Sequence, residues 1–188
     1  AELSSVTING GSKLVYRKNN FSGDRDIRLE GEAFFKVNPG STFTVITDQG
    51  NVTVLGTSFN VISRPGRFEV ACYTGKVKVE KNAAQHAEIV AGEKIISGKD
   101  IFDKRTFSNT NEPSWINGKF TFEDQPLSVV IEELERQYTI NVNLQPGIKD
   151  IRYTGLFEAG DLEDALLLVT WPLHLKYEIR ENVVNIFK

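Results

Sequence analysis

Few side chains in this 188-residue sequence could take part in chemistry, and their spacing indicates no reaction. Cys72 is the one cysteine, and His86 and His174 are the two histidines. Nucleophilic catalysis needs a base beside the nucleophile and a third group that orients the base, and no such motif surrounds Cys72 or His86. His174 lies at the predicted start of a strand, where a surface or capping role is expected. The sequence therefore predicts no catalytic residue and a protein that is not an enzyme.

Three glutamates, Glu132, Glu133 and Glu135, lie close together in a predicted helix. With Arg136 they occupy the face opposite the apolar positions, so we expect a solvated surface that holds no ligand. A zinc site requires three or four cysteine, histidine or carboxylate ligands at close spacing. Phosphate and dinucleotide sites require glycine-rich fingerprints. Because the sequence contains neither pattern, it predicts no metal and no cofactor.

The charged residues are divided unevenly along the sequence. Residues 1–112 carry 15 lysines and arginines against 13 acidic residues, a net charge of +2, whereas residues 113–188 carry 7 against 12, a net charge of −5. An acidic second part would repel a phosphate backbone, so nucleic acid is not expected as a partner. The negative charge indicates either a solvated surface that maintains solubility or an electrostatically biased face for a partner.

The sequence has no run of about 18 apolar residues that could span a membrane, no signal peptide and no methionine. We therefore expect a processed or excised segment, with any anchor or targeting element outside it. Cys72 cannot form an internal disulfide, and its position in the probable strand Phe68–Tyr73 predicts a buried, inert thiol. A single cysteine fits either a reducing compartment or a periplasm that oxidises only paired thiols.

Residues 1–98 are predicted to form an all-β domain. Short segments of alternating apolar and polar residues recur at intervals of about ten residues. Turn signals such as Asn38–Gly40 and Arg64–Gly66 separate them, and no helical period occurs among them. This pattern is typical of a β-sandwich, a barrel or an irregular β-solenoid.

Residues 99–114 are predicted to be a linker between two domains. They are polar and without periodicity, apart from one short strand at Ile101–Phe102, and they end beside Pro113. Trp115 begins the second domain, residues 115–188, and is expected to be a packing anchor against that domain or at the junction, with a ligand-stacking platform as the alternative.

Residues 117–144 predict a strand, a helix and a second strand. The segments before and after the helix alternate apolar and polar residues, and Pro126 suits a helix start. One face of the helix carries apolar or aromatic residues at i, i+3, i+4, i+7 and i+11, namely Leu127, Val130, Ile131, Leu134 and Tyr138.

The same unit recurs 35 residues later, with Phe122 matching Phe157 and Leu127 matching Leu162. Two copies are too few for a solenoid, and they predict a small α+β domain of the split βαβ type, with two helices on one face of a sheet. In the second helix Leu167 and Leu168 widen the apolar face, so this helix is expected to be buried on more than one side. The last strand is expected to form a sheet edge.

Four segments of the first part are similar to the FecR-type anti-sigma regulators: Ser12–Tyr16, Gly31–Val37, Val54–Val61 and Gly75–Val79. The second part, through Trp115–Phe120 and other segments, resembles the domain that follows in Bacteroidetes members. That domain looks like the small STN module of secretins and TonB-dependent receptors. The family motifs assign structural roles to Gly31, Glu32, Phe35, Gly56, Phe59, Trp115 and Gly118.

The resemblance implies a signal relay. Such regulators have a cytoplasmic sigma-binding segment, one transmembrane helix and a periplasmic region, and this chain resembles the periplasmic region alone. A TonB-dependent outer-membrane transporter loaded with its ligand would present its signalling domain to this region. The signal would then pass through a membrane tether and a cytoplasmic segment, both outside this chain, to an extracytoplasmic-function sigma factor.

Two strands of the second domain are candidates for pairing with the partner's sheet. One is Lys119–Phe122. The other, which we favour, comprises Val183, Val184, Asn185, Ile186 and Phe187.

Two other functions are considered. A periplasmic glycan- or peptide-binding module is the alternative function, and it would present a row of exposed aromatic side chains in a groove. A hydrolase would need a pocket with at least two facing titratable groups.

Overall fold

The computed structural model describes residues 4–17, 25–81, 85–98, 101–108 and 111–188. The chain divides into two compact units, Ala1–Pro113 and Ser114–Lys188. In its described residues the first unit contains strands and no α-helix, whereas the second contains five strands and two α-helices. The predicted fold class, an all-β domain followed by a small α+β domain, is therefore confirmed.

The described part of the first unit forms one sheet of eleven strands. Along this sheet the order is β11-β10-β7-β6-β3-β4-β5-β8-β9, and β1 and β2 also pair with β3. The outermost strands approach each other, because Nζ of Lys104 on β11 donates to the carbonyl of Glu88 on β9 at 3.3 Å, so the sheet is nearly closed. The strands are β1 (Ser5–Ile8), β2 (Lys13–Tyr16), β3 (Arg25–Lys36), β4 (Phe43–Thr47), β5 (Gly50–Val54), β6 (Ser58–Arg64), β7 (Arg67–Thr74), β8 (Lys76–Glu80), β9 (His86–Val90), β10 (Glu93–Ser97) and β11 (Phe102–Thr106).

Strand β3 connects the parts of this sheet because its two halves have different neighbours. The first half pairs with β2 and, in parallel, with β4, whereas the second half pairs with β1 and β6. Burial alternates along the first half and becomes continuous from Gly31 to Phe35. The inward side chains of the unit form a single apolar cluster that includes Phe35, Phe59 and Val61.

The predicted linker, residues 99–114, is partly wrong. Phe102–Thr106 is strand β11 and pairs with β10 over its whole length, and the first unit extends to Pro113. Only Phe102 of this strand packs on the core, and the following residues, Asp103, Lys104 and Arg105, are exposed. Backbone hydrogen bonds hold the strand, so the sequence shows no apolar alternation there.

The second unit contains two separate sheets. One pairs β12 with β14, and the other has the order β13-β16-β15. Each helix contacts strands of both sheets, so the predicted single sheet with helices on one face is wrong in this respect. The elements are β12 (Lys119–Pro126), α1 (Leu127–Tyr138), β13 (Asn141–Leu144), β14 (Arg152–Glu158), α2 (Leu162–Thr170), β15 (Lys176–Arg180) and β16 (Val183–Phe187).

The two repeats share one core, as the matching apolar positions predict. Leu127, Ile131 and Leu134 of α1 lie in the same buried cluster as Leu166 and Val169 of α2. The first strands of the repeats, β12 and β14, are antiparallel partners. The second strands, β13 and β15, flank β16 on its two sides, one parallel and one antiparallel.

Helix α2 begins and ends where its sequence predicts. Oδ1 of Asp161 accepts the N–H groups of Glu163 at 2.8 Å and Asp164 at 3.2 Å, which satisfies two of the unpaired donors at a helix start. At the other end the chain continues into a 3-10 turn, Trp171–Leu173, because Pro172 cannot extend an α-helix. His174 follows in the left-handed conformation with φ 54°.

Candidate protein-binding site

The favoured edge, Val183–Phe187, is not an edge. Strand β16 pairs with β13 on one side and with β15 on the other, and Val184 and Ile186 are buried. Its two rows of backbone groups are therefore used within the unit. The prediction failed because the pairing with Asn141–Leu144 is distant in sequence, whereas only the local hairpin with Lys176–Arg180 is visible in the pattern.

The other candidate, Lys119–Phe122, lies in β12, which pairs only with β14. The pairing is irregular beyond Phe122, where Asp124 adopts a positive φ of 46°. The carbonyl of Gly118 accepts the N–H of Ala159, so the backbone groups of Gly118 point toward the β14 side. Because successive residues of a strand direct their backbone N–H and C=O groups to opposite sides, those of Lys119 and Thr121 point away from β14. This short segment is the part of β12 that stays available for strand pairing.

Two tyrosines cover the corresponding free side of β14. The hydroxyl of Tyr153 donates to the carbonyls of Leu156 and Leu168, each at 3.3 Å. The hydroxyl of Tyr138 donates to the carbonyl of Glu158 at 3.0 Å. Leu156 and Glu158 alternate along β14 with the residues that are hydrogen-bonded to β12. Their carbonyls are therefore the acceptors that an added strand would need. Strand addition is therefore disfavoured along β14.

A groove of about 430 Å³ lies between β14 and α2, and both leucines and carboxylates line it. Leu156 is 42% exposed, Leu167 53% and Leu168 46%, and Trp171 beyond the helix end is 75% exposed. On the helix, Asp164, Leu167, Leu168 and Trp171 follow one another at i, i+3, i+4 and i+7, which is one face. The expected burial of α2 on more than one side is wrong: its second apolar face is open to solvent.

One end of the groove is acidic. Glu158, Asp161 and Asp164 contribute to its lining. Glu158 lies 3.3 Å from Nζ of Lys119, whereas within the described residues neither Asp161 nor Asp164 forms an ion pair. Burial raises the pKa of the Tyr177 hydroxyl, and the negative charges of Glu163, Asp161 and Asp164 raise that pKa further. The carboxylates therefore produce a local negative potential beside the exposed leucines.

The glutamates of α1 do not form the uniformly solvated face that was expected. Glu133 is buried and accepts hydrogen bonds from Nη2 of Arg136 at 2.7 Å and Nε2 of Gln137 at 2.8 Å. Glu135 accepts the backbone N–H of Val142 on β13 at 2.7 Å. Of the three, only Glu132 is exposed. These carboxylates stabilise the helix and the edge of β13, a role that helical periodicity alone does not reveal.

The residues considered for catalysis lie in different environments. Cys72 is buried, and burial, with a smaller contribution from Glu93, raises the pKa of its thiol to about 11. His86 and His174 are exposed. Within the described part of the chain, no group of three or more histidine, cysteine or acidic side chains could hold a metal ion, and no helix is long and apolar enough to cross a bilayer.

Comparison with known proteins connects both units to one family. The sequence model described as "FecR protein" matches residues 2–78, and the one described as "FecR, C-terminal" matches residues 119–186. Two crystal structures, each described as a "putative anti-sigma factor" from Parabacteroides distasonis ATCC 8503, are 29% and 30% identical in sequence to this chain. Their TM-scores are 0.88 and 0.89, and each match covers 98% of this chain and 90% of the other.

The chain belongs to the FecR family of anti-sigma factors. It therefore has a regulatory, signal-relay role in the control of a sigma factor. No curated protein matches the chain.

The glycines of the FecR motifs lie where a side chain would not fit. Gly31 has a φ of +104°, and a Cβ there would lie 2.4 Å from Oγ of Ser12. A Cβ on Gly56 would lie 2.8 Å from Cα of Pro39. Gly31 thus marks the point in β3 where the pairing partners change, and Gly56 allows the loop before β6 to approach its neighbour.

The other FecR motif residues have packing or hydrogen-bonding roles. Buried Glu32 accepts hydrogen bonds from the side-chain amides of Asn9 and Asn60, both at 2.8 Å. Phe35 and Phe59 stack with their ring centroids 4.9 Å apart. These contacts connect β1, β3 and β6, so this motif region has a structural role in the first unit.

Trp115 and Gly118 lie at the start of the second unit. Trp115 packs, partly buried, against the core of this unit, in agreement with the anchoring role expected from the sequence. Its carbonyl accepts the N–H of Gly118 at 3.0 Å. This turn leads directly into β12.

Proposed function

We propose that this chain is the periplasmic signal-relay region of a membrane-anchored FecR-type regulator. In this role it binds the signalling domain of a TonB-dependent outer-membrane transporter. Binding changes the activity of an extracytoplasmic-function sigma factor through a tether and a cytoplasmic segment outside the chain. The observation that carries the proposal is the match of both units, in sequence order, to the two FecR family models.

The glycan-binding alternative has less support. Among the described residues the most exposed aromatic side chains, Tyr16 and Trp171, belong to different units. The groove between β14 and α2 has leucines and carboxylates, but no aromatic residue, in its lining. Glycan sites in proteins use aromatic rings with polar groups placed around them, and this groove lacks that arrangement.

Isothermal titration calorimetry tests the proposed function. The 188-residue chain is titrated with each purified signalling domain from the TonB-dependent transporters of the source organism, and with plug domains of the same transporters as controls. We expect saturable binding to at least one signalling domain and none to the plug domains. If no signalling domain binds, the proposed function is wrong.

A further inference from the structure

The second unit leaves an apolar surface uncovered, which its own core does not explain. Leu156, Leu167, Leu168 and Trp171 are the exposed large apolar residues of this unit, and three of them line one groove. In most soluble proteins exposed apolar residues occur singly, and a contiguous group marks an interaction site. The neighbouring Ala165 and Leu166 are buried, so the helix needs neither Leu167 nor Leu168 for its packing.

The backbone around the groove indicates how an occupant would bind. The outward carbonyls of Leu156 and Glu158 already accept the hydroxyls of Tyr153 and Tyr138. An added strand would have to displace both tyrosine hydroxyls from these carbonyls, and the loss of those hydrogen bonds is unfavourable. The occupant therefore binds by placing side chains in the groove, as in helix-in-groove recognition, and does not extend the sheet along β14.

The charges around the groove indicate which occupant would bind. Asp161 and Asp164 lie beside the exposed leucines, and within the described residues no lysine or arginine pairs with them. The unit as a whole carries a net charge of −5, from 7 basic and 12 acidic residues. A second copy of the chain would bring the same negative charge to the contact, so self-association through this face is disfavoured. A partner with positive charge beside apolar residues is complementary.

We propose that the groove between β14 and α2 is the docking site for the transporter's signalling domain. The partner contributes a segment that places apolar side chains against Leu167 and Leu168 and a lysine or arginine against Asp161 and Asp164. This inference rests on the proposed function and adds to it the surface and the chemistry of the partner segment. Trp171, which is 75% exposed, continues the same helix face beyond the groove and extends the apolar surface offered to the partner.

The test compares four variants of the 188-residue chain in calorimetric titrations with the signalling domain that binds the unchanged chain. Leu167→Ser combined with Leu168→Ser removes the apolar contacts, and Asp164→Lys reverses one charge at the acidic end. Val90→Ser makes a similar apolar-to-polar change at an exposed residue of the first unit. Thr121→Pro blocks an outward N–H of β12, where proline is tolerated at an edge.

We expect the double serine variant to lose roughly tenfold or more in affinity, as for central interface residues. Asp164→Lys should lose less, and its loss should decrease as salt is added, because rim charges are screened. Val90→Ser and Thr121→Pro should bind within about twofold of the unchanged chain, a small part of a tenfold change. Circular dichroism melting curves verify that all four variants fold.

Different failures identify different errors. Failure of every signalling domain to bind the unchanged chain overturns both the proposed function and the docking site. Binding that survives the double serine change overturns the docking site alone, and a loss with Thr121→Pro would assign docking to the edge of β12. A similar loss of affinity in Val90→Ser would also overturn the docking site, because the effect would not be specific to the groove. Sedimentation velocity tests the remaining possible occupant, a second copy of the chain. A dimer that the double serine change dissociates would make the groove a self-association surface and overturn the proposal.

Discussion

The two units of the chain distribute their large apolar side chains differently. In the described residues of the first unit the exposed ones are spread over several elements, with Ile8 on β1, Val15 and Tyr16 on β2, Leu55 after β5, Val90 on β9 and Ile101 before β11. In the second unit they are concentrated on β14, α2 and the turn that follows α2. Dispersed exposure is normal for a soluble protein, whereas concentration on one face indicates an interaction surface.

The two units also differ in charge. Residues 1–112 have a net charge of +2 and residues 113–188 a net charge of −5. The sequence left open whether this negative charge serves only solubility or also biases a face toward a partner. The location of Asp161 and Asp164 beside the exposed leucines favours the second interpretation. This difference supports the proposal that the second unit carries the contact with the partner, with the first unit chiefly a scaffold.

The largest expected effect tests the scaffold. Phe35→Ala should lower the free energy of unfolding by about 3–5 kcal/mol, because it removes a fully buried ring that stacks on Phe59. Urea unfolding followed by circular dichroism measures the change. Leu55→Ala, at a 63% exposed position, is the control and should change stability by less than about 0.5 kcal/mol. Similar losses in both variants would contradict the core assigned to the first unit.

Two adjacent leucines of α2 are expected to have different roles, one in stability and the other in binding. Leu166→Ala should cost about 2–5 kcal/mol of unfolding free energy, because Leu166 is fully buried in the core of the second unit. Leu167→Ala should change stability by less than about 0.5 kcal/mol, because Leu167 faces the groove. Thermal and urea unfolding of both variants measure these values. If Leu167→Ala were the more destabilising change, the exposed face of α2 would be assigned wrongly.

A smaller effect is expected at the carboxylate that the sequence assigned to the surface. Glu133→Ala should lower stability by about 1–3 kcal/mol, because it removes a buried acceptor from the partly buried donors of Arg136 and Gln137. Glu132→Ala is the matched control, since Glu132 is exposed and 3.7 Å from Arg136. Its effect should be below about 0.5 kcal/mol. Equal effects in urea unfolding would restore the interpretation of a uniformly solvated face.

The smallest expected effect depends on pH and lies in the first unit. A hydrogen bond from Lys104, together with the N–H of Val90, lowers the pKa of Glu93 below its ordinary value. A carboxyl group whose folded-state pKa is lowered adds stability above its unfolded-state pKa, and that stability is lost as the pH falls through the folded-state value.

Glu93→Gln should therefore reduce the urea midpoint slightly at pH 7, and the difference from the unchanged chain should disappear toward pH 2. Glu30→Gln, at an exposed residue 3.8 Å from Lys13, is the control for a loss of surface charge. A Glu93→Gln difference that persists unchanged into acid would contradict the assigned contacts. Since β9, β10 and β11 carry these residues, the measurement also reports on the closure of the sheet.

Local features of the fold were predictable from the sequence, whereas several nonlocal ones were not. The start of α1 beside Pro126 and the buried face of α1 follow from periodicity, and both occur as predicted. The pairing of β16 with β15 follows from the local hairpin, but its pairing with β13 was missed, since nothing local distinguishes a central strand from the last strand of a hairpin. Of strand β11 only the start, at Phe102, was predicted, because backbone pairing, and not apolar burial, holds most of it.

The candidate site was predicted less well than the fold. The sequence shows Leu167 and Leu168 next to each other, but an apolar side chain is by itself predicted to be buried. Their exposure is therefore seen only in the structure. A signal was present in the helical spacing, because these residues share a face with Asp164, a residue that is seldom buried without a partner. The second apolar face could have been assigned to solvent on that ground.

The central position of β16 links the assembly of the second unit to the order of protein synthesis. Within the described residues, strands β13 and β15 pair only with β16, which comes after both of them in the sequence. The three-stranded sheet cannot form until residue 187 has left the ribosome, whereas the strands of the first unit are all available about eighty residues earlier. Domains generally fold as units, beginning from the amino terminus, so a nascent chain holds a completed first unit beside an unfinished second one.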